Sequence, residues 1–148
     1  MRLHYTWPVC ALGYIDIVRL LMSFNADIHK RDSYNNAPIH RAVAQGHGNI
    51  MNALITEYSC DPMIRGFQKR TLLHFACSTG KLKLVNALIH KFGIDPMSGD
   101  SQNVSPLHIA AMSGQEETVS LLLTTHKCLI NARNSVKETS LCMFLWPC

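Results

Sequence analysis

The sequence predicts an all-α solenoid, a row of stacked helix-turn-helix units, and three observations lead there. A heptamer recurs as "APIHRAV" from Ala37, "TLLHFAC" from Thr71, "SPLHIAA" from Ser105 and, weakened, "TSLCMFL" from Thr139, so His40, His74, His108 and Cys142 each stand 34 residues after the last. Six residues past each histidine comes a glycine: Gly46, Gly80, Gly114. Each glycine is followed by an apolar pattern at helical spacing, "NIMNALI", "LKLVNALI" and "ETVSLLL". A fainter copy, "GYIDIVRLLMSFNADIH" from Gly13, has the same second half and puts Trp7 in the histidine's place.

Each element follows from local chemistry. The hydroxyls of Thr71 and Ser105 suit a helix N-cap, and Pro38 and Pro106 suit the first helical position, where the missing N–H had no partner anyway. The three glycines end the first helix where a positive φ is wanted, and the next seven to nine residues carry the stripe of a second helix. Neither helix can bury its stripe alone. Stacked neighbours can, so the 148 residues form one domain with units at about 4–36, 37–70, 71–104 and 105–138 and a partial unit at 139–148. The residue that lengthens each unit falls in "EYSCDPM", "KFGIDPM" and "THKCLIN", where a surface connection tolerates insertion.

Composition removes several classes of function. The longest uncharged apolar run falls far short of the roughly 18 residues of a membrane span, and Pro8 with Asp16 breaks any leader-like start. Six cysteines without a CxxC pair favour free thiols in a reducing compartment, the cytosol or the nucleus, over a metal framework. A formal charge of +4 with no basic run gives no nucleic-acid arm. No G-x-S-x-G and no phosphate loop occur, and Glu116 and Glu117 serve the start of a second helix, so neither catalysis nor a cofactor is expected.

T-P-L-H-x-A is the signature of the ankyrin repeats, whose period of about 33 residues is one shorter than the stride here, and the chain resembles them through "SPLHIAA", "APIHRAV", "TLLHFAC", "GYIDIVRLLMSFNADIH" and "LINARN". Tetratricopeptide repeats share the stride but not the W-x-x-L-G-x-x-Y pattern. The resemblance implies an ankyrin-repeat solenoid with β-turn or hairpin connections, acting as a protein-interaction scaffold through its concave face and hairpin tips. It leaves open a regulatory or targeting segment of a larger enzyme, channel or ubiquitin-ligase adaptor, and a thiol- or metal-based sensor using Cys60, Cys77 and Cys128.

The repeated histidines cannot share a metal ion. Packed helices lie about 8 to 10 Å apart, whereas ligands of one zinc ion stay within about 4 Å of each other. Each ring is expected instead to bond its own unit's cap and the neighbouring unit. His4, His29, His47, His90 and His126 show no mutual pattern and read as solvated.

Partner residues are sought at the tips, "DSYNN", "GFQKR", "DSQNV" and "NSVKE", and on the first helices. Tyr34, Asn35, Phe67, Lys69, Arg70 and Gln102 are the tip candidates, with Arg41, Phe75 and Met112 on first helices. Phe75 and Met112 can equally pack between units. Lys30, Arg31, Arg65, Lys69 and Arg70 outweigh Asp32 and Asp61, so an acidic or phosphorylated protein segment would suit this face, with neither nucleic acid nor membrane as partner. The family's glycine five residues before the histidine is here Asn35, Lys69, Asn103 and Lys137, so distortion is expected at the two lysine tips. Pro8 predicts an irregular or missing first helix. Leu141, Phe144, Leu145 and Trp146 lack cover for a free solenoid end, so a piece of a longer array, a truncated product or an end that needs another chain is expected.

Overall fold

The computed structural model describes residues 6–145, apart from the side chains of Trp7, Met143, Phe144 and Leu145. First helices α1 (Thr6–Leu12), α3 (Pro38–Ala44), α5 (Leu72–Cys77), α7 (Pro106–Met112) and α9 (Ser140–Leu145) alternate with second helices α2 (Ile15–Ser23), α4 (Gly48–Thr56), α6 (Leu82–Asn86) and α8 (Glu116–Thr124). No strand occurs among the described residues, so the connections are tight turns. First helices pack in sequence, α1 on α3, α3 on α5, α5 on α7 and α7 on α9, and α2 on α4 and α6 on α8 form a second row. The core runs between the rows, through Ile39, Ile50, Leu54, Leu72, Leu73, Leu88 and Leu122.

Helix α1 is present, against expectation. Pro8 lies in its first turn, where an N–H has no intrahelical acceptor to lose. Trp146 lies outside the described residues, as do the side chains of Phe144 and Leu145. Leu141 is exposed as expected.

The histidines close the first helices. His74 Nδ1 accepts from the Thr71 N–H (3.2 Å) and its hydroxyl (2.8 Å), and Nε2 donates at 2.8 Å to the carbonyl of Val104, at the end of the unit where the chain enters the next first helix. His108 repeats the first half on Ser105, at 3.1 and 2.7 Å, while its buried Nε2 has no hydrogen-bond partner among the described residues. His40 Nδ1 accepts from the Ala37 N–H at 3.0 Å. Of the three rings, His74 carries both halves, the cap bond and the bond to a carbonyl 30 residues on. All three rings are buried, and burial pushes the imidazoles of His40 and His74 down to about 4.

Gly46 and Gly80 are required by their backbone conformation, and the next unit's side chains fill the space that their missing Cβ leaves. Both have positive φ, 77° and 67°, and a Cβ on either would strike the next unit's side chain, Lys81 over Gly46 and Gln115 over Gly80. The residue after each glycine thus lies on the preceding unit. Gln115 Nε2 donates to the Ser78 carbonyl (3.2 Å) and His47 Nε2 lies 2.9 Å from that of Ala11, so His47 is a seam residue and not a solvated one.

The lengthening residue falls just beyond the second helix, within the stretches expected: α2, α4 and α8 are equally long, and the left-handed residue comes two positions after the first at Asn25 but three after the others at Ser59 and Lys127. In the first unit Ala26 N–H reaches back to Leu21; in the others Cys60, Ile94 and Cys128 reach Leu54, Leu88 and Leu122, one residue further. In the third unit this wider turn is a π-helical segment, Ala87–Lys91. It seats Cys60, Ile94 and Cys128 in the core.

His74→Ala is expected to lower stability by about 1 to 3 kcal/mol in urea unfolding, because it leaves the Thr71 N–H and the Val104 carbonyl unpaired. Acid should act through the same rings. Their folded values lie below the unfolded one, so the unfolded chain binds protons first as pH falls; stability is full above about 6.5 and declines from there through about 4. Unfolding midpoints measured between pH 7.5 and 4.5 check the direction.

Candidate functional site: the turn row and the first helices

The tips are built on a second column with the same stride: Asp32, Gly66, Asp100 and Asn134. Asp32 Oδ1 accepts from the N–H groups of Tyr34 and Asn36, both at 2.9 Å. Asp100 does the same for Gln102 and Val104, and Asn134 for Val136 and Glu138. Each is an Asx turn, a side chain standing in for backbone. Position 66 has no side chain to offer, and the Phe67 N–H takes Asn36 Oδ1 instead at 2.9 Å. A Cβ on Gly66 would collide with that oxygen and with the His40 ring.

This substitution makes the second tip irregular. Gln68 and Lys69 both have positive φ (53° and 58°) inside a 3-10 turn, Phe67–Lys69. The fourth tip is regular, contrary to expectation: Lys137 adopts φ 67° like Asn35 at 63°, because the Asn134 turn holds it there. Side-chain type matters less than the bonded frame.

Successive tips are stitched together. Ser101 N–H donates to the Gln68 carbonyl and Ser135 N–H to that of Gln102, both at 2.7 Å. Arg31 Nη1 donates to the carbonyls of Asn35 and Arg65, both at 2.7 Å, and Arg65 Nη1 to those of Lys69 (2.8 Å) and Gly99 (3.2 Å). The Asn103 amide donates to the Arg133 carbonyl at 2.9 Å. The arginines read as a positive patch are thus also staples.

The candidate residues divide into three groups. Tyr34 and Phe67 stand exposed, 59 % and 39 %, with ring centroids 5.9 Å apart at 82°, an edge-to-face pair spanning two tips. Asn35, Lys69 and Gln102 are exposed beside or below them and Met112 is exposed at the end of α7. The other three have structural partners. Arg41 pairs with Asp32 Oδ2 at 2.6 Å, Arg70 Nε donates to the buried Asp100 Oδ2 at 3.1 Å, and Phe75 packs edge-on against the His40 ring, centroids 5.3 Å apart. Burial works against the Asp32 charge, but the N–H of Asn36, the Arg41 guanidinium and the N–H of Tyr34 outweigh it and hold the carboxyl below its usual range.

Sequence reasoning passed over the aspartate column, although its spacing equals that of the histidines. It also missed that His90 and His126 meet, with ring centroids 5.1 Å apart. Burial pushes the Cys10 thiol up to about 12 and raises those of Cys60, Cys77 and Cys128, which is the environment of inert thiols. Among the described residues no three His, Cys, Asp or Glu gather to hold a metal ion.

Stacked helix pairs joined by bonded turns define a repeat solenoid, the class of protein to which this architecture belongs. The chain is a member of the ankyrin-repeat family: residues 61–134 match the family model for ankyrin repeats in three copies, and residues 9–55 that for ankyrin repeats in many copies. It is 39 % identical over 49 residues to protein fem-1 homolog C of Homo sapiens and of Mus musculus, covering 33 % of this chain and 8 % of each relative. It is 37 % identical over 49 residues to human ankyrin repeat domain-containing protein 63, covering 33 % of this chain and 13 % of that protein. The matched stretch is thus a small part of each relative's length.

Arg70→Ala should cost about 1.5 to 3 kcal/mol, since it strands the buried Asp100 carboxylate, whereas Phe67→Ala should change the unfolding midpoint little. Parallel denaturant titrations separate the two.

Proposed function

We propose that this chain is a non-catalytic scaffold or adaptor module that takes a protein segment across its turn row and first helices. The observation that carries this is the Tyr34–Phe67 pair: two exposed aromatic rings from different units, held edge-to-face on stitched turns. Rigid aromatic anchors of this kind dominate interface energies. Arg41, Arg70 and Phe75 act in this proposal by fixing the surface, and Asn35, Lys69, Gln102 and Met112 by bordering it.

The expected partner is acidic or phosphorylated. Arg31 and Arg65 are exposed with their carbonyl bonds satisfied through one nitrogen each, and Lys69 stands beside them, so the row keeps its positive field while the turns stay fixed. Free thiols and the family's usual role favour the cytosol or nucleus as its place of work. Because the relatives are far longer than the matched stretch, a regulatory or targeting segment within a larger protein is the second reading.

A peptide library displayed on phage, selected against the full chain and then measured by calorimetry, tests this. Tyr34→Ala with Phe67→Ala should weaken the selected acidic peptides at least about tenfold while helical circular dichroism and melting stay unchanged. Ligands that ignore the double variant, or a neutral and basic selection, contradict the proposed face.

A further inference from the structure

We propose that His90 and His126 form a two-imidazole site for a divalent transition-metal ion of the zinc class, bridging the third and fourth units on the second-helix side. The two residues come from different columns of the period. His90 lies in the π turn, where the second and fourth units carry Thr56 and Thr124; His126 follows α8, where the second and third carry Tyr58 and Phe92. Tyr58 and Phe92 are half-buried rings packed against the core. An imidazole in that half-buried place adds nitrogen atoms to a position otherwise filled by a hydrocarbon-rich ring.

The geometry suits a chelate. Two imidazoles whose nitrogens lie about 2.0 to 2.1 Å from one tetrahedral ion have ring centres roughly 5 Å apart. His90 and His126 have centroids 5.1 Å apart, tilted by 44° and so not stacked flat. His126 Nε2 is buried and has no hydrogen-bond partner among the described residues, an unusual state for a ring nitrogen. Lys91, next to His90, is drawn toward Asn52 of the preceding unit, with Nζ 2.5 Å from Oδ1. Lys127 flanks the other side and is the opposing charge. Imidazole nitrogen suits zinc, nickel and copper, and the remaining coordination positions go to water or to a partner's side chain.

The period itself supplies variants that keep the packing. His126→Phe restores the residue of the third unit, and His90→Thr that of the second and fourth. Zinc(II) alone is titrated into the full chain by calorimetry, with circular dichroism confirming that each variant folds. Each single variant should weaken the tightest zinc-binding event at least about tenfold, and the double variant no further, because one imidazole has no chelate left to lose. Unchanged zinc affinity in either single variant overturns the proposal. So do losses that add in the double variant, which mean separate ions on separate rings.

Discussion

An imidazole three residues into a helix can accept from the N–H at the cap and still have a second nitrogen on its far side. At His74 both ends are used, one on Thr71 and the other on Val104, where the chain enters the next first helix. One side chain therefore starts a helix and joins it to its neighbour. Helices of six or seven residues are too short to persist unaided, so each depends on that closure and on being stacked. The stride of 34 residues returns a ring to the cap of each of the three first helices, at His40, His74 and His108.

The closure also places the turns. Val104, which receives the bond from His74, ends the third tip, and its own N–H is held by Asp100. The turn aspartate then takes an arginine: Arg41 on the first helix that follows at Asp32, and Arg70 from the tip before at Asp100. From core ring to exposed tip the bonds are continuous. A surface made this way is rigid without a sheet, and rigidity of the free chain is what lets a modest set of aromatic and basic side chains bind without a large ordering loss.

Much of this was legible in the residues. His40, His74 and His108 with Gly46, Gly80 and Gly114 fixed the stride, the break between helices and the buried seam. Positions where a local rule met a tertiary one were not. Pro8 looked like a helix breaker until the helix start, only two residues upstream, put it in the one turn that tolerates proline. Lys137 looked too bulky for a left-handed backbone, but the Asn134 turn holds it there. Arg70 looked like a recognition residue because its partner, Asp100, lies 30 residues on, beyond any local pattern. The meeting of His90 and His126 was hidden for a different reason: they sit 36 residues apart, off the stride, and only the π turn makes their rings adjacent.

The state of the His74 ring tests the central claim most directly. Nitrogen-15 NMR of the imidazole, followed with pH, should show a neutral ring with its proton on Nε2, the neutral form persisting well below pH 6.5 and taking up a second proton on Nδ1 only near 4. A proton on Nδ1, or ordinary titration near 6.5, would mean that the ring neither caps Thr71 nor reaches Val104, and the closure on which the stack is built would be wrong.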